Sequence, residues 1–381
     1  SAASDVYKRQ VCMICETNVI KDAWINICSF DHLLEAERNA RKKKRTRHEV
    51  MTFNEHLEDN LLNIQEKLLS GEYTIGPYRK KWVFVPKKRI VMALPYPDRV
   101  VQWAIYLCLN PFYDKLFIED SYACRNDKGT YEAVERLQDW LRQVSRKPGD
   151  WYILKLDISK YFYRVNHEKL LEILSRRIKD EQLMSFLKRV VDDPKEPFGL
   201  PRGKGPTNTP QDEWLFDVGM PIGNLTSQLF GNIYLNELDQ FCKHELKIHF
   251  YIRYMDDIII IGKGKEQVNS WKASIKSFVN DELLLDLNDK TCIIPAHHGV
   301  EFVGMRIYGT HIKLRKNTVG RLKREVRAIT VKYNEGELSR EGAERRFASI
   351  RGILMHADSE SLRGRLNEIY LAERDKAFKA A

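Results

Sequence analysis

The segment HFYIRYMDDIIIIG, residues 249–262, limits this chain more than any other: two adjacent aspartates, Asp256 and Asp257, stand at a bend between two apolar strands. A second run, WYILKLD (151–157), reads as a short apolar strand ending in Asp157. Carboxylates in such surroundings are costly to bury unless a cation pairs with them. A few hard oxygen donors with open positions left over suit magnesium. Two such ions about 4 Å apart would stabilise the attacking and leaving oxygens of an in-line phosphoryl displacement. An isolated Asp-Asp pair would be turn chemistry. A pair between YIRYM and IIIIG, with a strand-end aspartate upstream, asks for more.

The 381 residues suffice for two or three domains with real cores. Against 53 acidic residues stand 63 Lys and Arg, a net charge of +10, which raises the expectation of a polyanionic partner. No apolar run approaches the ~18 residues that span a bilayer, so no membrane is expected. Lys8, Arg9 and Glu16 interrupt the N-terminal apolar stretch, which therefore does not read as a signal peptide. Seven scattered cysteines, an odd number, fit reduced thiols in a cytoplasm. Cys12, Cys15, Cys28 and His32 have zinc-finger spacing, C-x2-C-x12-C-x3-H. The competing reading puts Cys28 and His32 on a short amphipathic helix and the other two in a frayed leader, and zinc is not expected. Residues 1–10, SAASDVYKRQ, look unrelated to the rest of the chain.

Along the chain, apolar residues from Val50 to Leu68 at three- and four-residue steps predict one helix over 46–70, stopped by Ser70-Gly71. The basic run RNARKKKRTR (38–47) precedes it, either a solvated face or an RNA clamp. A strand hairpin is expected over 78–94, helices over 99–109 and 130–144, one helix over 167–191, and a loop or insertion over 192–211. GMPIGNLTSQ (219–228) reads as a turn entering a long helix, and another helix is expected over 266–282. A last small hairpin is expected in GVEFVGMRIY and THIKLR, then a helical, basic C-terminal part.

Tyr254-Met255-Asp256-Asp257 resembles the YxDD box of reverse transcriptases, and LKLDISKYF (154–162) resembles their first palm motif. The order of motifs matches over roughly residues 25–335. The resemblance implies an α+β right-hand fold with an antiparallel palm sheet and a helical basic thumb. It places an N-terminal basic extension at 1–46, fingers at 47–150 plus part of 170–215, palm at 151–305 and thumb at 306–381. It also implies an RNA-directed DNA polymerase using two Mg2+ ions on Asp157, Asp256, Asp257 and the Ile158 carbonyl. Phe162 would be the steric gate that selects dNTPs, its alternative being a palm-core phenylalanine. Lys87, Lys88 and Arg89 would grip the triphosphate, with Arg89 favoured; hairpin-surface charges are the alternative. Lys290 would protonate pyrophosphate, Phe302-Val303-Gly304 would form the primer grip, and Arg125 would contact template. Gln228 and the basic run at Arg41, Lys42, Lys43 and Lys44 complete the expected template and primer contacts.

GMPIGNLTSQ narrows the family. Ile222 stands where most reverse transcriptases have Gln, and Ser227-Gln228 where group II intron and retron enzymes have Ser-Pro. This is similar to the enzymes of diversity-generating retroelements, as are ICSFDHLLEAERNARKKKR and PYPDRVVQWA. The resemblance implies unfaithful copying of a template-repeat RNA at adenines, with Ile222 and Gly223 beside the nucleotide. It further implies an accessory variability protein, a small basic helical ring, in a bacterial or phage-encoded system. The rivals are a retron-like or antiphage-defence enzyme, a group II intron enzyme and, from another class, a catalytically silent RNA-binding module.

Overall fold

A computed structural model describes residues 18–84, 89–192 and 195–379, with side chains described as far as 372. The chain divides into two compact units. The first comprises Ser1–Cys124, Ile158–Lys247 and Ala273–Asp289; the second comprises Arg125–Asp157, Ile248–Lys272 and Lys290–Ala381.

In the first unit, helix Tyr96–Tyr113 packs against helices Phe30–Ala40 and Leu225–Gln240. Pro97 and Asp98 in its first turn suit a helix start, and Val100, Val101, Ala104, Ile105, Cys108 and Leu109 form its buried face. Strands β1 (Arg79–Val83) and β2 (Arg89–Ala93) form an antiparallel hairpin with Val83 opposite Arg89. Beside β2 lies a core of Met92, Tyr163, Phe198, Leu200 and Trp214, with Tyr78, Ile90 and Ile222 packed on it.

The second unit carries an antiparallel four-stranded sheet built from β3 (Trp151–Asp157), β4 (Phe250–Tyr254), β5 (Asp257–Lys263) and β6 (Cys292–Pro295), in the order β4-β5-β3-β6. Ile258, Ile259, Ile260 and Ile261 are buried whichever face they occupy, which is why β5 is an unbroken apolar run instead of an alternating one. Helix Thr130–Ser145 covers β4, with the Trp140 ring 5.5 Å from that of Phe250. A three-stranded sheet, β7 (Val300–Phe302), β8 (Met305–Ile307) and β9 (Ile312–Leu314), comes next. Helices Lys316–Asn334, Arg340–Met355 and Glu360–Lys379 close on Leu322, Val326, Ile329, Phe347, Ile350, Leu354 and Leu366.

Local expectations change in four places. The helix over 46–70 is two helices, His48–Glu55 and Leu57–Leu69, broken at His56; the Asn60 amide takes the Phe53 carbonyl. The helix over 167–191 stops at Arg177 and restarts at Glu181. There the backbone pairs with Ile20, and Asp180 caps the second helix while also accepting from Trp24 N–H. The last hairpin has a third strand. Cys28 ends helix Ala23–Ile27, whereas His32 belongs to the next one, started by Ser29. Of the zinc-spaced set, Cys12 and Cys15 lie outside the described residues. Cys28 is buried, its thiol pushed up to about 12 by desolvation and by the charge of Asp180. The His32 Nε2 lies 2.8 Å from the Ala104 carbonyl.

Candidate active site

Tyr254 pairs with Asp257, so Met255 and Asp256 alone make the loop between β4 and β5. Met255 has φ 54°, a left-handed conformation that strains a residue with a side chain. Along the other edge of β5, β3 sets Asp157 directly opposite Asp257. Opposed residues of an antiparallel pair project from one face with Cβ atoms about 5 Å apart, so two carboxylates crowd one spot. The Asp257 carboxyl is accordingly pushed above the usual carboxylate range, mainly by burial and to a smaller extent by the charge of Asp157. Lys155 and the Val303 N–H act against this shift.

Lys155 stands two residues before Asp157, hence on the same face of β3. Its Nζ lies 3.2 Å from Asp257 Oδ1 and 3.5 Å from Oδ2, and donates to the Glu301 carbonyl of β7. Asp257 Oδ1 is buried without a hydrogen-bond donor, so the 3.2 Å contact is an ion pair lacking hydrogen-bond direction. A buried oxygen left in this state has an affinity for a cation. Among the described residues no three His, Cys, Asp or Glu side chains gather closely enough to hold a metal ion by themselves. Two facing carboxylates plus outside oxygens are the donor set that magnesium accepts, keeping water and substrate phosphate as its other ligands.

Lys290 is exposed in the turn before β6, and Arg125 is half-buried just after Cys124, itself at φ 55°. Phe302 is 1% exposed, so at the β7–β8 turn it is the backbone of Val303 (φ 42°) and Gly304 (φ 87°) that is presented.

In the other unit, Ile158 is buried and bridges Leu287. Phe162 is half-buried in the single turn Tyr161–Tyr163, and its carbonyl accepts the Met220 N–H. The Ile222 carbonyl accepts the Met92 N–H at 2.9 Å, which fastens the turn to β2. Gly223 has φ 111°, and a Cβ there would come 2.8 Å from Val91 Cγ1, so glycine is required twice over. Gln228 is half-buried on helix Leu225–Gln240, and Arg89 is exposed at the start of β2. Lys87 and Lys88 lie outside the described residues.

In the basic run, Lys42, Lys43, Arg45 and Arg47 are exposed in a turn. Arg41 is different: its Nε lies 3.5 Å from the fully buried Glu37, and its Nη1 donates to Asn54. Glu37 also accepts from Tyr96 OH and Asn54. Lys44 has its pKa lowered by desolvation and then by Arg99 and Arg47.

Residues 78–307 match the family described as reverse transcriptase (RNA-dependent DNA polymerase). The chain belongs to that family. This reverse transcriptase is 28% identical over 282 residues to protein YkfC of Escherichia coli strain K12, covering 64% of this chain and 70% of that protein. It is 22% identical over 321 residues to the group II intron-encoded protein LtrA of Lactococcus lactis subsp. cremoris, covering 66% of this chain and 50% of LtrA. The chain thus spans about half the length of LtrA. Among solved structures, apo telomerase from Candida tropicalis is similar at 13% identity and a TM-score of 0.45, over 86% of this chain and 63% of that one. The α+β architecture, with its antiparallel sheet and C-terminal helices, is that of a right-hand polymerase.

Sequence reasoning missed Lys155 and the brace at Glu37. Both had signals: a lysine inside an apolar strand two places before an aspartate, and a Glu37–Arg41 spacing of four on a helix.

Proposed function

We propose that this RNA-directed DNA polymerase uses Asp157, Asp256 and Asp257, with the Ile158 carbonyl, to hold two magnesium ions. When bound, these ions would stabilise charge on the attacking and leaving oxygens of nucleotidyl transfer. The observation that carries the reading is Asp157 opposite Asp257, whose Oδ1 is buried without a hydrogen bond and paired in charge with Lys155. Arg89, with Lys87 and Lys88, binds the triphosphate; Phe162 excludes a 2′-hydroxyl; Lys290 gives a proton to pyrophosphate. Arg125, Gln228 and the turn after Phe302 at Gly304 hold template and primer, and the exposed cations of the basic run hold RNA. In this scheme residues 151–305 carry the palm chemistry and residues 306–381 are the thumb.

Within the family, GMPIGNLTSQ supports a diversity-generating retroelement enzyme that copies a template repeat with errors at adenines and works with a small basic accessory protein. The likeness to LtrA favours an intron-type enzyme as the second reading. A template and variable repeat pair beside the gene would decide for the first. No helix among the described residues is long and apolar enough to cross a membrane.

Primer extension on an RNA template tests the chemistry. Asp256→Asn should abolish DNA synthesis while leaving thermal unfolding and RNA affinity nearly unchanged. Extension by the variant at the parent rate would remove Asp256 from the site; an inactive parent would favour the silent RNA-binding module.

A further inference from the structure

We propose that Lys155 is a positioning residue that ties the β7–β8 hairpin to the catalytic carboxylate Asp257, so that primer end and carboxylates keep one spacing. The inference rests on the reading of that hairpin as the primer-holding element. A lysine in WYILKLD interrupts an apolar strand, and its side chain is only 22% exposed, so it is not a solvated surface charge. Its ammonium has three donors and no acceptor. It uses them on two segments far apart in sequence: the Asp257 carboxylate of β5 and the Glu301 carbonyl of β7. From the same hairpin the Val303 N–H works to lower the Asp257 carboxyl's raised pKa. Lys155 therefore bridges β7 and the Asp257 carboxylate.

The hairpin has reason to need such a tie. Val303 and Gly304 both have positive φ, and for a β-branched residue this is a strained conformation that persists only where the surroundings hold it. Beyond the turn, the Gly304 carbonyl accepts from Arg315 N–H and from the Thr318 hydroxyl, both at 3.4 Å, the long end of hydrogen bonding. On the strand side, Phe302 is sealed in the core and offers packing without direction. Lys155, bonded to the Glu301 carbonyl and paired in charge with Asp257, links the hairpin to that carboxylate.

The test compares the parent with Lys155→Met, Lys155→Gln and Lys155→Arg. Removing a charge-assisted interaction of this kind should raise amide hydrogen exchange over residues 301–305 about ten-fold. It should also weaken primer–template affinity by about the same factor, measured by fluorescence anisotropy in EDTA with no dNTP present. In turnover, the KM for primer–template should rise more than kcat falls. Lys155→Arg should recover most of both losses, and Lys155→Gln serves if the Met variant does not fold. Parent-like exchange over 301–305 in both neutral variants would overturn the tie. Raised exchange with unchanged primer affinity would instead overturn the primer-holding reading, leaving the tie in place.

Discussion

Ile222→Gln separates a role in fidelity from a role in packing. The backbone at this position is fixed independently of the side chain, since the Ile222 carbonyl is bonded to Met92 N–H and Gly223 fits closely against Val91. The substitution therefore changes little beyond the side chain itself. Ile222 is half-buried against the Met92–Phe198–Trp214 cluster. Full burial of such a side chain stabilises by about 1.5–3 kcal/mol, so half of it replaced by a polar group should cost about 1 kcal/mol. That corresponds to roughly 2–4 °C in Tm for a unit of this size.

The fidelity effect has its own scale. An apolar side chain beside the nascent pair gives contact but no directed bond, so correct and incorrect nucleotides differ little in the stabilisation they receive. A glutamine amide that bonds only the correctly placed nucleotide adds on the order of 1 kcal/mol, up to about ten-fold in selectivity. Steady-state misincorporation opposite each template base, measured with thermal unfolding on the same preparations, reads both effects. The expected result is a lower error rate, most of all opposite adenine, with a slightly lower Tm. A lower Tm with an unchanged error rate at adenine would refute the fidelity argument and leave Ile222 as a packing residue.

Two further outcomes are expected. Replacing Lys42, Lys43 and Arg45 together by Gln should flatten the slope of log RNA affinity against log salt by roughly 0.7–0.9 for each phosphate no longer neutralised, whereas Arg41→Gln should lower stability and leave the slope alone; an unchanged slope in the triple variant makes the run a solvated face. Asp98 is buried and its carboxyl raised, burial outweighing the hydrogen bonds from Tyr73 OH and Gly76 N–H. Folding thus takes up a proton at Asp98 between its unfolded value of about 3.9 and its raised folded value, and its contribution to stability falls as pH rises through that window. Asp98→Asn should flatten the curve of stability against pH there, and parallel curves for the two proteins would refute this.

The features legible in the sequence came from local pattern. The largely apolar runs around Asp157 and Asp256-Asp257 announced β3, β4 and β5, and in β5 the four isoleucines run unbroken because a strand covered on both faces needs no polar alternation. Their register was not legible: nothing in either segment says that Asp157 faces Asp257 and not Asp256, since that depends on pairing across about a hundred residues of intervening chain. The break after Arg177 was hidden for a similar reason. Helical periodicity runs through it, and the pairing with Ile20 and the Trp24 bond to Asp180 act with the Asp180 cap to stop the helix. Arg41 looked like one more cation of a basic run because its ion-pair partner, Glu37, becomes valuable only once helix packing has buried it.

Strain in the second unit gathers around one carboxylate. Met255 lies two residues before Asp257 and the Val303 N–H lowers the Asp257 carboxyl's pKa, and both residues hold left-handed backbone without being glycine. Such positions cost of order 1–3 kcal/mol each. The four buried isoleucines of β5, a strand paired on both edges, offset that cost and fix the strand from which Asp257 projects. A flexible glycine loop would be cheaper to fold but would let the carboxylate wander, and a crowded pair of carboxylates would then relax apart. The rigid strand prevents this relaxation and keeps Asp257, whose Oδ1 is buried without a hydrogen bond, opposite Asp157.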